Sequence, residues 1–212
     1  MRKKIINILL IILLFFIYFL LCANSYATNI SSDISSSIFR LHVIANSDSE
    51  EDQKLKYQVR DNILNYINNL IDTSYSRTDV INILEDNLDN FKQIAKQTID
   101  DNGFDYNVDL EIGNFYFPTK NYGNISFPAG SYDGLRIKIG EAKGQNWWCV
   151  LFPPLCFIDV TSGVVPEESK NNLEENLSEE EFLLITNNSE SIKFKFKIVE
   201  IFDNFKHSIA QK

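Results

Sequence analysis

Histidine is nearly missing from this 212-residue chain: only His42 and His207 occur. With two imidazoles, no Ser–His–Asp set can be argued. The 8 glycines form no phosphate-cradling loop. Asp48 and the acids after it lack the alternate-position spacing and the glycine of a calcium loop, so no metal site and no cofactor are expected. Positive charge is also short, 20 basic residues against 29 acidic. Phosphate recognition needs clustered Lys and Arg, which argues against nucleic acid or an anionic membrane surface as partner. No internal repeat is apparent.

What is present begins at the N-terminus. Arg2, Lys3 and Lys4 form a basic head, residues 5–21 are apolar apart from Asn7, and Ser25-Tyr26-Ala27 sets small residues where a signal peptidase reads them. That pattern predicts a signal peptide over residues 1–27, cleaved after Ala27. The competing reading is an uncleaved anchor, since about 17 apolar residues is the lower limit of a membrane span. Leu21 is too bulky before Cys22 for lipoprotein processing. Cleavage would leave 185 residues, enough for a domain with its own core, and 17 basic against 29 acidic side chains, a net charge of −12. It would also leave only Cys149 and Cys156. Two cysteines in an exported chain point to a disulfide, with a pair of buried thiols as the alternative.

Residues 28–37 are Ser-rich and aperiodic and read as a flexible leader. A core domain follows over residues 38–160. Residues 38–45 are rich in β-formers and predict a strand. Ser49 with Asp52 fits a capping box for a helix to about Ile71, whose Leu55, Val59, Ile63, Tyr66, Ile67 and Leu70 step along one face. A second helix is predicted over 77–101, capped by Ser76 and Asp79 and carrying Ile81, Leu84, Leu88, Phe91, Ala95 and Thr98 or Ile99, with Gly103 as its stop. Tyr106–Ile112 alternates cleanly as a strand. Leu135–Ile139 alternates too, and residues 140–144 can turn it into Trp147–Phe152 as an antiparallel hairpin. These elements predict an α+β fold, two helices packed on a mostly antiparallel sheet. Residues 161–191 read as an acidic, partly helical linker. In the C-terminal segment, 192–212, residues 192–198 alternate Ile or Phe with Lys as an amphipathic strand suited to a sheet edge, before a short terminal helix.

The run Asn146-Trp147-Trp148-Cys149-Val150-Leu151-Phe152-Pro153-Pro154-Leu155-Cys156 is the most distinctive stretch. Pro-Pro turns the chain and fixes two φ angles, so Cys149 and Cys156 can approach within bridging range. If Trp147 and Trp148 lie in a strand they point to opposite faces, and one of them stays half exposed. Such a ring beside a rigid apolar loop suits an interface, so Trp147, Trp148, Leu151 and Phe152 are the leading partner-binding candidates. The corner at Asn46 and Asp48, with Arg40 close in sequence, is a second candidate patch, although capping and ion pairing explain it as well. A Cys–His nucleophile drawn from Cys149 or Cys156 with His42 is disfavoured, because export favours oxidation of the thiol.

The chain resembles the stage II sporulation protein R family of endospore-forming bacteria. The resemblance is carried by Arg40 through Ser49 leading into Asp52-Gln53, Leu55-Lys56 and Val59-Arg60-Asp61. It continues with Phe117-Pro118-Thr119-Lys120 before Tyr122-Gly123-Asn124, with Pro128-Ala129-Gly130 before Tyr132, and with Asn146 through Phe157. It implies a non-enzymatic signalling protein made in the forespore and secreted into the space between the two membranes separating forespore from mother cell. There it would stimulate a membrane-embedded aspartyl protease that clips the mother cell's sigma-E precursor, working near the membrane without being embedded in it. A cell-wall glycan-binding module is the runner-up, with a tryptophan stacked on sugar rings. A wall hydrolase would need paired carboxylates or a metal cluster that one sequence cannot show.

Overall fold

The computed structural model describes residues 2–71, 75–156, 165 and 167–186. The first strand, β1 (Phe39–Ile44), lies inside the sheet, parallel to β5 (Gly130–Ile139) on one side and antiparallel to β6 (Asn146–Phe152) on the other. β2 (Val108–Phe117) pairs antiparallel with the far side of β5, so the order is β2-β5-β1-β6. The fold is α+β with a mostly antiparallel sheet.

The expected hairpin between residues 135–139 and 147–152 is not made. β5 and β6 run in opposite directions, but β1 fills the space between them, with Leu41 opposite Leu135 on one side and Cys149 on the other. Phe39, Leu41 and Val43 are fully buried, and a central strand covers such residues better than an edge position does. The connection from β5 to β6 is not a local turn either. Lys143 N–H donates to Asn46 O, Gly144 N–H to Ala45 O, Glu141 N–H to Asn46 Oδ1 and Gln145 N–H to Asp48 Oδ1. Gly140 permits this at φ +58°, where any Cβ would run into the Asn46 side chain.

α2 (Glu50–Leu70) begins with Ser49 Oγ accepting from Asp52 N–H. The Asp52 carboxylate does not return the bond as a reciprocal capping box would. It accepts instead from Asn46 Nδ2 at 2.8 Å and Ser47 Oγ at 2.5 Å. Burial opposes its charge, but the bonds from Ser47, Asn46, Tyr106 and Ser49 outweigh that and hold the acid below its ordinary range. Leu55, Val59, Ile63 and Ile67 are buried along the predicted face.

The single helix predicted over 77–101 is two helices, α3 (Arg77–Asp86) and α4 (Leu88–Asp101), broken at Asn87 with φ −107° and ψ 10°. Asn87 Nδ2 donates to Ile83 O, and its Oδ1 accepts from Tyr66 Oη–H and Asn90 Nδ2. This competing set of bonds closes one helix and opens the next. Ser76 and Asp79 make the full reciprocal box on α3. α4 ends where Gly103, at φ +80°, lets Gly103 N–H reach Asp100 O and Phe104 N–H reach Ile99 O, a Schellman closure.

Helices α2 and α4 cover the sheet face carrying Leu41, Val43, Leu135 and Ile137. The short hairpin of β3 (Lys120–Tyr122) and β4 (Ile125–Phe127) lies over part of the other face. Two expectations about flanking segments are corrected. Residues 28–37 are not a loose leader: helix α1 (Arg2–Ser37) runs through them, and Ile34 and Ile38 are fully buried in the core. The acidic stretch is not a linker where it is described. It forms α5 (Glu167–Asn176) and α6 (Glu179–Thr186), with Val165, Leu173, Leu177 and Ile185 buried while most of the glutamates face water. Apolar spacing outweighs net charge in placing a helix. Toward its start, α1 exposes Ile5, Leu9, Ile12, Phe16 and Phe19 alike, so it is apolar all round. The predicted strand 192–198 and terminal helix lie outside the described residues.

Candidate functional site at the tryptophan pair

β6 splits the two tryptophans between the faces of the sheet. Trp148 turns toward the β3–β4 side, where its ring stacks on His42 with centroids 3.6 Å apart and meets Phe117 edge-on at 5.0 Å. Its carbonyl accepts from Tyr122 Oη–H at 3.0 Å. Trp147 turns toward α2. There the Arg60 guanidinium lies over its ring at 4.2 Å and Tyr57 meets it edge-on at 5.6 Å. Arg60 also covers Tyr57 at 4.9 Å and pairs with Asp61 at 2.6 Å. Tyr57 is exposed, while Trp147 and Trp148 are both half-buried and Trp147 Nε1 is buried with no partner among the described residues.

Lys56, one position from Tyr57 on α2, is buried and donates from Nζ to Gln53 Oε1 and Gln145 O. Burial lowers its pKa, with Arg60 adding to the effect and Asp48 opposing it. The bond to Gln145 pins the entry to β6 and so fixes where Trp147 sits. Sequence reading missed Tyr57, Lys56 and Asn146. The first two were accessible: Lys56, Tyr57 and Arg60 share one flank of α2 by helical spacing.

Cys149 and Cys156 are joined, with Cα atoms 5.3 Å apart. Leu155 N–H donates to Val150 O at 3.0 Å inside the ring they close, and the Phe152–Pro153 peptide is cis. Closing so short a loop stabilises by about 2–2.5 kcal/mol in the chain-entropy account. The loop does not present its apolar residues outward. Leu151, Phe152 and Leu155 are buried, which corrects the assignment of Leu151 and Phe152 to a contact surface: as the last two residues of β6 they bury their area in the core.

Arg40 is likewise not a surface residue. It is fully buried, with its guanidinium over Phe117 at 4.4 Å and Tyr132 at 4.9 Å, and Nη2 donates to Tyr122 Oη at 3.2 Å. Its Nε and Nη1 find no acceptor among the described residues. Ring quadrupoles here stand in for a carboxylate. Asn46 uses both ends of its amide, on Asp52 and Glu141, and Asp48 holds Gln145 N–H, so this corner is a clamp on the β5–β6 connection. Of the residues proposed from sequence for partner contact, Trp147 and Trp148 are both half-buried, and Trp147 is the one that lies against an exposed aromatic, Tyr57.

His42 is no nucleophile's base in this geometry. Its Nε2 donates to Asn146 Oδ1 at 2.6 Å, and Nδ1 is buried with no partner among the described residues. Burial lowers its pKa from 6.5 to about 4; the Asn146 bond opposes this, and Arg136, Arg40 and Lys138 add to it. Below its ordinary pKa, therefore, the unfolded chain takes up a proton that the folded chain refuses. Stability is complete above about pH 6.5 and falls progressively toward pH 4, by about 3 kcal/mol from this group. Urea unfolding at pH 7 and pH 4.5 measures it. A His42→Gln variant should lose most of that slope while a His207→Gln variant keeps it; an unchanged slope in His42→Gln would refute the assignment. Among the described residues, no three His, Cys, Asp or Glu side chains are grouped to hold a metal.

The tryptophan pair thus sits on a small α+β domain with one disulfide, Trp147 edge-on to Tyr57 beneath the Arg60 guanidinium. The family model for stage II sporulation protein R matches residues 35–162, and the chain belongs to that family. It is 37% identical over 138 residues to the stage II sporulation protein R of Bacillus subtilis (strain 168), a stretch that covers 65% of this chain and 62% of that relative. The match thus spans less than two thirds of the relative's length. No solved structure matches.

Proposed function

We propose that this sporulation signalling protein is exported from the forespore and acts between the two membranes, where it binds and activates the membrane-embedded aspartyl protease that processes the mother-cell sigma-E precursor. The observation that supports the contact is the division of the tryptophan pair between the two sheet faces: Trp148 packs on His42, Phe117 and Tyr122, whereas Trp147, half-buried, lies against Arg60 and the exposed Tyr57. The N-terminal part of α1 supports export. Its exposed apolar side chains, among them Ile5, Leu9, Ile12 and Phe16, follow the basic head of Arg2, Lys3 and Lys4, the composition of an export signal. The glycan-binding alternative is weaker, because Arg60 covers a face of the Trp147 ring on which a sugar would stack.

Reconstitution tests the reading. This chain is produced with its export segment in a non-sporulating host, together with the aspartyl protease and the sigma precursor. Cleavage is expected only when all three are present. It should be lost when the export segment is deleted, and cleavage driven equally well by the chain retained in the cytoplasm would sink the proposal. Co-sedimentation with purified peptidoglycan in the absence of protease activation would favour the glycan reading instead.

A further inference from the structure

On the side of the sheet away from the helices, two rows of side chains carry charge. Strand register sets Glu111, Arg136, His42 and Trp148 in one row and Asp109, Lys138, Ile44 and Asn146 in the next. The β3–β4 hairpin lies over the rows beyond, where Arg40 is buried against Tyr122. The charged rows themselves reach water. The side chains of Arg136, Lys138 and Glu111 are 27%, 36% and 41% exposed, Asn146 is exposed, and Trp148 is half-buried.

Cations here outnumber the carboxylates that hold them. Arg136 Nη2 and Lys138 Nζ both lie on Glu111 Oε1, at 2.7 and 2.6 Å, so one carboxylate serves two cations. Arg40, beneath, has no carboxylate among the described residues; its contacts are aromatic rings and the Tyr122 hydroxyl. Asp109 is exposed at the outer end of its row and pairs with no cation among the described residues. His42 adds no charge at neutral pH. Burial lowers its pKa most, the Asn146 bond opposes this, and Arg136, Arg40 and Lys138 lower it further. The face is therefore locally positive on a chain of net charge −9, and it attracts anionic groups. Both outer cations are held down on the sheet, Arg136 over the Phe115 ring at 3.9 Å and Lys138 on Glu111. With the hairpin rising beside them, a flat anionic bilayer does not meet them, whereas carboxylates on a flexible chain do.

We propose that this face, with Arg136 and Lys138 at its centre and Trp148 at its side, docks an acidic peptide segment of a partner protein. Resting on the proposed function, that partner is the protease, engaged on the opposite side of the sheet from Trp147 and Tyr57. Variants of the cations and of Glu111 should then move in opposite directions. Arg136→Gln with Lys138→Gln is expected to cut precursor cleavage in the reconstituted system by about tenfold or more. Glu111→Gln releases both cations and should leave cleavage at or above the parent level, each variant being exported in the parent amount. A merely structural ion-pair cluster would make both substitutions harmful alike; equal loss, or no loss in the first variant, overturns the proposal. A second measurement does not involve the protease. The chain has two tryptophans, so in Trp147→Phe the indole fluorescence reports Trp148 alone. Octaglutamate added to the purified full chain of that variant should change the emission saturably, less so at high salt, and bind about tenfold more weakly when Arg136 and Lys138 are replaced by Gln. No saturable change, or the same change in the glutamine background, overturns the proposal. If the parent chain drives no cleavage, the proposed function falls, and the titration alone decides this surface.

Discussion

Trp148→Ala is expected to lower the unfolding free energy by about 3 kcal/mol, the lower end of the range for tryptophan truncation in a core, because the ring is only half-buried. The loss has identifiable parts. The ring that stacks on His42 at 3.6 Å disappears, and so does the edge contact with Phe117 at 5.0 Å. The space left beside His42 admits water, and burial is the largest cause of the lowered His42 pKa. The variant should therefore also lose part of the stability slope between pH 6.5 and pH 4. Urea unfolding at both pH values measures the two effects together. A loss under about 1 kcal/mol at pH 7 would show that Trp148 is not the packing residue its contacts indicate.

Trp147→Ala is expected to do the reverse. Under the proposed function it should cut precursor cleavage by at least roughly 30-fold, the equivalent of a 2 kcal/mol hot spot, while the amount of exported, folded protein stays within about twofold of the parent. Arg60→Ala should weaken signalling less. It removes the guanidinium over Trp147 and Tyr57, yet leaves both rings in place. The comparison between the two tryptophans is the useful one. Adjacent in sequence and both half-buried, they are set by the pleat of one strand against different neighbours, Trp148 against His42 and Phe117 and Trp147 against Arg60 and the exposed Tyr57. Normal cleavage with Trp147→Ala would remove this face from consideration and direct attention to Tyr57 and its neighbours or to another side of the domain.

Much of the architecture was legible because it is periodic. Leu55, Val59, Ile63 and Ile67 step by four along α2 and are all buried, and Val108, Leu110 and Ile112 alternate on β2, with Val108 buried and the other two partly covered. The caps at Ser49, Ser76 and Gly103 were legible for the same reason, since each depends on neighbours within a few residues. The break at Asn87 was not. Its side chain bonds Ile83, Tyr66 and Asn90, and one of these, Tyr66, lies on another helix 21 residues away, where helical periodicity gives no signal. Arg40 and His42 were misjudged or undervalued for a related reason: a charged or polar residue in a strand says nothing about whether three aromatic rings from elsewhere will cover it.

The linear order of residues was sufficient for α2 and for the strands β1, β2, β5 and β6, for the opposite facing of Trp147 and Trp148, and for the closeness of Cys149 to Cys156, because each follows from backbone repeat or short chain separation. Tertiary structure alone decided that β1 enters between β5 and β6, that Leu173, Leu177 and Ile185 of an acidic stretch join the core, and that Tyr57 and Arg60 flank Trp147. Those outcomes depend on which buried surfaces meet across many residues of chain. Hydrophobic burial has no direction along the sequence, so only the assembled core selects among the pairings that local pattern allows.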